Sequence, residues 1–311
     1  MAVGGLFVFS GCSDDDEPAP TKTIYELVSE DTNLSILKSQ LDVGGFDATL
    51  NAAGTYTLFA PSNAAMNTLL QTLGLTDFSS ISPGVVASVL SYHVLASQKL
   101  SGDLTAGDFA TNQGESLTIA VTSTGEKKIE SGATTDANIT TADLKATNGV
   151  IHVVDAVLVP PTIGALIIQT LGTVAQPVLL SSSFTTLSAA IQKADAGKPA
   201  EQTIVGALVG LDDVTIFAPV NDVFAAASIT VATYSAAEWD AIIRGHIVPA
   251  SLATLSNGDV TTVNGKTITV ATGTPNTVKG AGNSTPVAIV AAGVPANNGV
   301  LYPIGGVLLH P

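Results

Sequence analysis

Two histidines stand in matched settings, His93 in "LSYHVLAS" (90–97) and His246 in "IRGHIVPA" (243–250). Imidazole titrates near neutral pH, ligates metals and carries protons. A recurring histidine therefore invites a metal or catalytic reading. A zinc site, however, needs three or four nitrogen, sulfur or oxygen ligands. Neither histidine has a cysteine or a second histidine close by in sequence. The competing reading is a partly buried imidazole that satisfies nearby backbone, or the asparagine of a strand–helix corner. The sequence favours that reading, so no metal and no cofactor is expected.

Other reactive chemistry is sparse. There is no G-x-S-x-G elbow to activate a serine and no H-E-x-x-H zinc signature. "GDVTTVNGKT" (258–267) has six residues between its glycines where a phosphate loop requires four, and it reads as a hairpin. Asp212-Asp213 could work as an acid–base pair only in a cleft that shifted their pKa values. The chain is expected not to be an enzyme.

The elements that position these residues recur. "TYTLFAPSNAAM" (55–66) pairs with "DVTIFAPVNDVF" (213–224), 158 residues on. "NLSILKSQL" (33–41) pairs with "SFTTLSAAI" (183–191), and "NGVIHVVDAVLVPP" (148–161) with "NGVLYPIGGVLLHP" (298–311). Together with the histidine segments these make four matches in the same order. The period is a whole domain, not a solenoid unit. The chain therefore divides into a leader at 1–20, a first domain at 21–160 and a second at 161–311. Pro160-Pro161 makes a stiff joint.

Within each copy an apolar strand ends at Pro61 or Pro219, since proline cannot donate to a ladder. Asn63 or Asn221 then follows as the expected N-cap of a helix. Met66, Leu69, Leu70 and Leu73 recur at helical spacing. Ser82-Pro83 and the capping box Ser235/Glu238 open a second helix that runs out into the histidine. Asn148-Gly149 and Asn298-Gly299 read as turns, and 115–132 and 259–273 as hairpins. Pro303 and Gly305-Gly306 are expected to bend the last strand or leave it on an edge. Helices come early in each domain and strands late. That is an α+β class with a twisted sheet or wedge-like sandwich and helices on one side.

Hydrophobic residues are 46% and charged residues 12%, ample for two cores. The net charge of -15, with eleven basic residues scattered, argues against nucleic acid. One stretch, 162–180, is uncharged for 19 residues. Its glutamines, threonines, glycines and proline make it a core helix followed by a loop rather than a membrane span. The single cysteine, Cys12, follows an apolar run, Leu6–Phe9, and small Ser10-Gly11. This resembles a bacterial lipoprotein signal, with lipid on Cys12 and outer-membrane anchoring. Two departures are the missing basic residue before the run and Phe9 where leucine is usual. The acidic run Asp14–Glu17 resembles a surface-export tag.

"TLFAPSNAAM", "YHVL" and "NGVIHVVDAVLVP", with their second copies "TIFAPVNDVF", "GHIV" and "NGVLYPIGGVLL", resemble the motifs of the fasciclin domain over about 290 of the 311 residues. The resemblance implies the fasciclin α+β fold. It further implies extracellular adhesion modules, often in tandem and membrane-tethered, that bind matrix proteins or carbohydrates. It places Asn63 with His93, and Asn221 with His246, near proposed contact sites and as supports of the fold. The second domain departs at Gly245, where the first has Tyr92. Expected partners are thus an extracellular protein or a glycan, and a membrane through the lipid. Alternatives are a glycan-binding accessory of a nutrient-uptake system and a small-molecule carrier with an apolar pocket.

Overall fold

The computed structural model describes residues 19–133 and 135–310, so Cys12 and the acidic run lie outside the described residues. The first half runs α1 (Ile24–Glu30), α2 (Ser35–Val43), α3 (Asp47–Asn51), β1 (Tyr56–Pro61), α4 (Asn63–Thr72) and α5 (Pro83–Tyr92). Six strands follow: β2 (Val94–Leu95), β3 (Gly107–Ala110), β4 (Ser116–Val121), β5 (Lys127–Glu130), β6 (Ala137–Ala146) and β7 (Gly149–Val154). After α6 (Pro161–Thr170) the plan repeats with α7 (Ala175–Leu180), α8 (Thr185–Asp195), α9 (Ile204–Gly210), β8 (Val214–Pro219), α10 (Asn221–Ala226) and α11 (Ala236–Arg244). The chain closes with β9 (Ile247–Val248), β10 (Gly258–Thr261), β11 (Thr267–Ala271), β12 (Thr277–Gly280), β13 (Val287–Ala288), β14 (Val294–Ala296) and β15 (Gly299–Ile304). The arrangement is α+β in both halves.

The centre of each half is a parallel pair. β1 lies beside β7 from Tyr56↔Gly149 to Pro61↔Val154, and β8 lies beside β15 from Val214↔Gly299 to Pro219↔Ile304. Their residues are apolar on both faces because both faces are covered. Leu58 and Ala60 meet α1 and α2 in one cluster, while Phe59 meets Leu117, Ile119 and Ile129 of the hairpins in another. Ile216 and Phe217 divide the same way in the second half. The sheet order is β2-β1-β7-β6-β5-β4-β3.

Three local expectations change. The β6–β7 turn closes on the pair Ala146↔Gly149, so its central residues are Thr147-Asn148 and Gly149 already belongs to the strand. Its φ is 153°, and a Cβ there would stand 2.0 Å from the carbonyl oxygen of Tyr56. The glycine is needed for the close approach of the parallel neighbour, and the position of the asparagine serves another purpose described below. Second, β15 is not an edge: its neighbours are β14 and β8. Pro303 falls beyond the last β14 pair, Val294↔Leu301, and its carbonyl accepts from Val290 N at 2.9 Å. Third, the uncharged stretch 162–180 forms two helices, α6 and α7, joined by a turn, where a helix and a loop were expected. No helix among the described residues is long and apolar enough to cross a membrane.

The halves meet through α6 and α7. Leu166 and Ile167 of α6 pack with Leu70, Leu73 and Ile81 of the first half and Leu180 of the second. Ser82 donates its backbone N–H to the Leu180 carbonyl at 2.6 Å, and Gln176 donates Nε2 to the Leu73 carbonyl at 2.9 Å. Glu115 caps α6, accepting from Thr162 N at 3.1 Å and Thr162 Oγ1 at 2.6 Å.

Replacing Gly149 with Ala forces a methyl against backbone that cannot swing aside. The substitution is expected to cost at least 2 to 3 kcal/mol (roughly, as for other overpacked sites) in chemical denaturation. An unchanged midpoint would show that the parallel pair has slack there.

Candidate functional site

The residues singled out by the repeat gather around the ends of the parallel pair. Each is spent on the backbone of its own domain. Asn63 does not cap its helix. Ser62 does, accepting from Ala65 N at 3.2 Å. Asn63 is the first helical residue and turns its amide away: Oδ1 accepts from Ile36 N at 2.9 Å, and Nδ2 donates to the Thr32 carbonyl at 2.9 Å. It thereby pins the start of α2 to the start of α4. Asn221 repeats the arrangement, accepting from Thr186 N at 3.1 Å and donating to the Ser182 carbonyl at 2.7 Å. There Val220 holds the cap position and makes no side-chain cap bond. The sequence pattern of strand, proline and asparagine suits a cap. The tertiary approach of the preceding helix claims the side chain instead.

His93 is buried at 1% exposure. Its Nδ1 donates to the Val89 carbonyl at 2.7 Å, and its Nε2 accepts from Leu158 N at 2.9 Å. His246 does the same with Ile242 O at 2.8 Å and Leu308 N at 2.8 Å. Both ring nitrogens are occupied, which holds the neutral tautomer. Burial pushes both imidazoles down to about 4. The histidines satisfy backbone, as the second reading held, and neither is bonded to its domain's corner asparagine. Tyr92 is fully buried, with its hydroxyl on the Ser116 carbonyl at 2.7 Å, and burial pushes its phenol up to about 12. It presents no surface to a partner. At the matching place Gly245 leaves room for His310, whose Nε2 lies 3.1 Å from the Gly245 carbonyl.

Three further pairs carry the same logic and were missed in the sequence. Asn148 accepts from Ile24 N at 2.9 Å and donates to Leu50 O at 2.7 Å and Ala52 O at 2.9 Å. Asn298 binds Val174 N, Leu208 O and Leu211 O in the same way. Thr57 Oγ1 donates to the Ser97 carbonyl and accepts from Lys99 N, as Thr215 does with Ala250 and Leu252. The third pair is unlike in chemistry. His152 reaches the Lys99 carbonyl at 2.8 Å, and Tyr302 reaches the Leu252 carbonyl at 2.8 Å. Each ring lies against a strand phenylalanine, Phe59 or Phe217. The signal available in sequence was recurrence at matched places in the repeat, 158 residues apart for Thr57 and Thr215 and 150 for the other two pairs.

Around His152 the fold brings together Ser101, Asp143 and a histidine, the residue types of a nucleophilic triad. The connections are wrong for one. Ser101 gives both its N–H, at 2.7 Å, and its hydroxyl to the Asp143 carboxylate. His152 Nδ1 accepts from Asp143 N at 3.2 Å, its Nε2 faces Lys99, and the ring is fully buried. A serine bonded to the acid instead of the imidazole has only a weak base, the Asp143 carboxylate, to take its proton. Burial raises the pKa of that carboxyl, and the hydrogen bonds from Ser101 outweigh it and lower the pKa. Asp143 sits at φ 61°, in the bulge where β6 loses register with β7. In the second half Gly293 occupies the matching place, and a Cβ there would stand 2.6 Å from the Tyr302 ring. The larger ring thus comes with the smaller neighbour. Among the described residues no group of three His, Cys, Asp or Glu could hold a metal ion.

Two measurements follow from this geometry. Asn63→Ala removes the partner of the Ile36 amide and is expected to cost about 1 to 3 kcal/mol, while Ser62→Ala costs about 1 through the lost cap. Equal effects in denaturation would assign Asn63 no more than a cap-like role. Because folding lowers the pKa of His93 and His246, their contribution is fully present above the unfolded value near 6.5 and is lost as pH falls toward about 4. Each is expected to withdraw up to about 3 kcal/mol over that interval. A stability flat between pH 7 and 4 would contradict the assignment.

The sequence has clear relatives. The fasciclin domain family model matches residues 32–160 and again 182–310. Protein sll1483 of a Synechocystis species is 31% identical over 143 residues, covering 45% of this chain and 74% of its own length. The transforming growth factor-beta-induced protein ig-h3 of Sus scrofa is 31% identical over 143 residues, covering 46% of this chain and 20% of its own. A solved FAS1 domain pair from the insect cell adhesion molecule fasciclin I aligns over 92% of this chain and 95% of that one. That alignment has 15% identity and a TM-score of 0.35, too low to bear on how the two domains are arranged. With the family model matched twice, and the repeated motifs serving the same structural bonds in both halves, the chain belongs to the fasciclin domain family and carries two copies of its domain.

Proposed function

We propose that the protein is a non-enzymatic adhesion protein displayed outside the cell. It engages matrix proteins, cell-surface proteins or glycans through loops and strand edges of its two domains. A lipid on Cys12 tethers it to a bacterial outer membrane. The observation that carries this reading is the internal use of the motif side chains. Asn63, Tyr92, His93, Asn221 and His246 all bond backbone of their own domain, which leaves recognition to the surface. The family relationship supports the adhesive role. The position of Cys12 before an acidic run supports the tether.

Among the possible partners a protein surface is favoured over a sugar. Sugar platforms use exposed aromatic faces, and every Phe, Tyr and Trp among the described residues is buried or half-buried. Trp239 is 1% exposed and donates Nε1 to the Val231 carbonyl. The carrier reading finds little support. The apolar cavity under α6 measures about 40 Å³, against roughly 300 to 1,000 Å³ for small-molecule sites.

The full chain is expected to score on arrays of extracellular matrix and cell-surface proteins and to leave glycan arrays blank. Hits confined to glycans would reverse the ranking of partners. Cys12→Ser is expected to move the protein from the membrane to the soluble fraction of its cell. Continued partition with membranes would remove the lipid tether.

A further inference from the structure

The second domain meets the first through one particular face. Gln176 of α7 donates to the Leu73 carbonyl, Leu180 joins the cluster of Leu70, Leu73 and Ile81, and Ser182 Oγ donates to the Ser79 carbonyl at 2.8 Å. Ile81 and Ser181 face each other as an antiparallel bridge. Edge strand β14 closes the far side of the contact, with Val294 and Pro295 across a cavity from Leu73 and Leu75. The face thus consists of α7, the turn after it and β14, and a loop of the neighbouring domain sits on it.

The repeat puts the same face on the first domain. Asn148 holds Ile24 N as Asn298 holds Val174 N, so α1 stands where α7 does. Glu26, Glu30, Asp31, Leu144 and Lys145 then take the places of Gln176, Leu180, Ser181, Val294 and Pro295. β5 pairs with β6 only at Ala137 and Asn138, so 144–146 is an edge among the described strands, as β14 is. Between α1 and that edge lies an open groove of about 330 Å³. Its apolar residues are Leu27, Leu34, Leu144 and Ile151, with Glu30 and Asp31 on the helix side and Lys145 on the strand side. Only first-domain residues line it.

The differences between the two faces say what the open one fits. The apolar floor is kept: buried Leu34 and Ile151 stand where the second domain has Phe184 and Leu301. The helix side changes from Gln, Leu and Ser to Glu, Glu and Asp. Glu26 and Asp31 are engaged at helix starts, accepting from Thr23 N and Asn33 N. Glu30 pairs with Lys22, the two side chains being 59% and 45% exposed. A surface pair so exposed contributes little and yields readily to another cation. Lysine on a sheet edge works against strand addition, so the occupant approaches as a loop, as the first domain does on the second. We propose that the α1–β6 face of the first domain is a docking surface for a partner protein's loop that carries an apolar side chain beside Lys or Arg. The apolar side chain enters the groove against Leu27 and Leu144, and the cation meets Glu30. The assignment rests on the reading that the protein adheres to other proteins.

The probe is a library of disulfide-cyclised loop peptides, selected on the immobilised full chain. Selected peptides are expected to pair Leu, Ile, Phe or Met with Lys or Arg, and to shift backbone amide signals at 24–34 and 143–151. Glu30→Lys reverses the charge at an exposed position and is expected to weaken them roughly fivefold. Selection on that variant is expected to replace the basic residue with Asp or Glu. Equal binding to Glu30→Lys, signals shifted elsewhere, or no enrichment of basic and apolar pairs would overturn the proposal. Arrays of matrix and cell-surface proteins separate it from the adhesive reading. Wild-type hits that persist undiminished with Glu30→Lys put adhesion on another surface and reject this one. Blank arrays, beside peptides seated on the α1 face, reject the adhesive role and keep the docking surface.

Discussion

The parallel pairing of β1 with β7, and of β8 with β15, is the constraint from which the rest follows. Two parallel neighbours cannot be joined by a tight turn, so the intervening chain must leave and return. Here the excursion carries two helices and a run of hairpins. The pair is covered on both faces, by helices on one side and by hairpins on the other. Every polar group at its ends must then find a partner inside the protein. Asn148 and Asn298 tie the start of each pair to the helices, and Thr57 and Thr215 tie its middle to the following loop. The histidines tie its exit to the helix before it.

This constraint explains why residues that look reactive are bonded to backbone instead. A fully buried asparagine, histidine or tyrosine is costly unless bonded, and each of these is bonded to backbone. The Ser101–Asp143–His152 cluster makes the same point in one domain. The residue types of a triad are present, but the hydroxyl answers to the carboxylate and the imidazole to two backbone groups. The recognition proposed above is then left to the surface, where the two copies are free to differ.

The copies differ inside as well, in coupled ways. His152 with Asp143 is exchanged for Tyr302 with Gly293, and both rings reach the carbonyl of the loop after the short strand. Tyr92 is exchanged for Gly245 with His310 filling the space. Tandem domains related by such exchanges keep one skeleton while the surfaces that join them are specialised. α6 packs on Leu70, Leu73 and Ile81 of the first domain, and its Leu166 also packs against the core cluster of the second.

The sequence by itself determined the tandem, the fold class, the strand stop at each proline, the helices opened by Ser82-Pro83 and Ser235/Glu238, and the hairpin at Asn264-Gly265. These are local: period, propensity and turn chemistry act over a few residues and need no distant partner. Tertiary structure alone decided what Asn63, Asn148, His93 and Gly149 do. Their partners lie far along the chain, Ile36 and Thr32, Ile24 and Leu50, Leu158, and Tyr56 respectively. A side chain that can cap its own helix or pin another makes both choices with the same atoms. Which backbone group arrives within hydrogen-bonding distance is settled only when the sheet and helices close together.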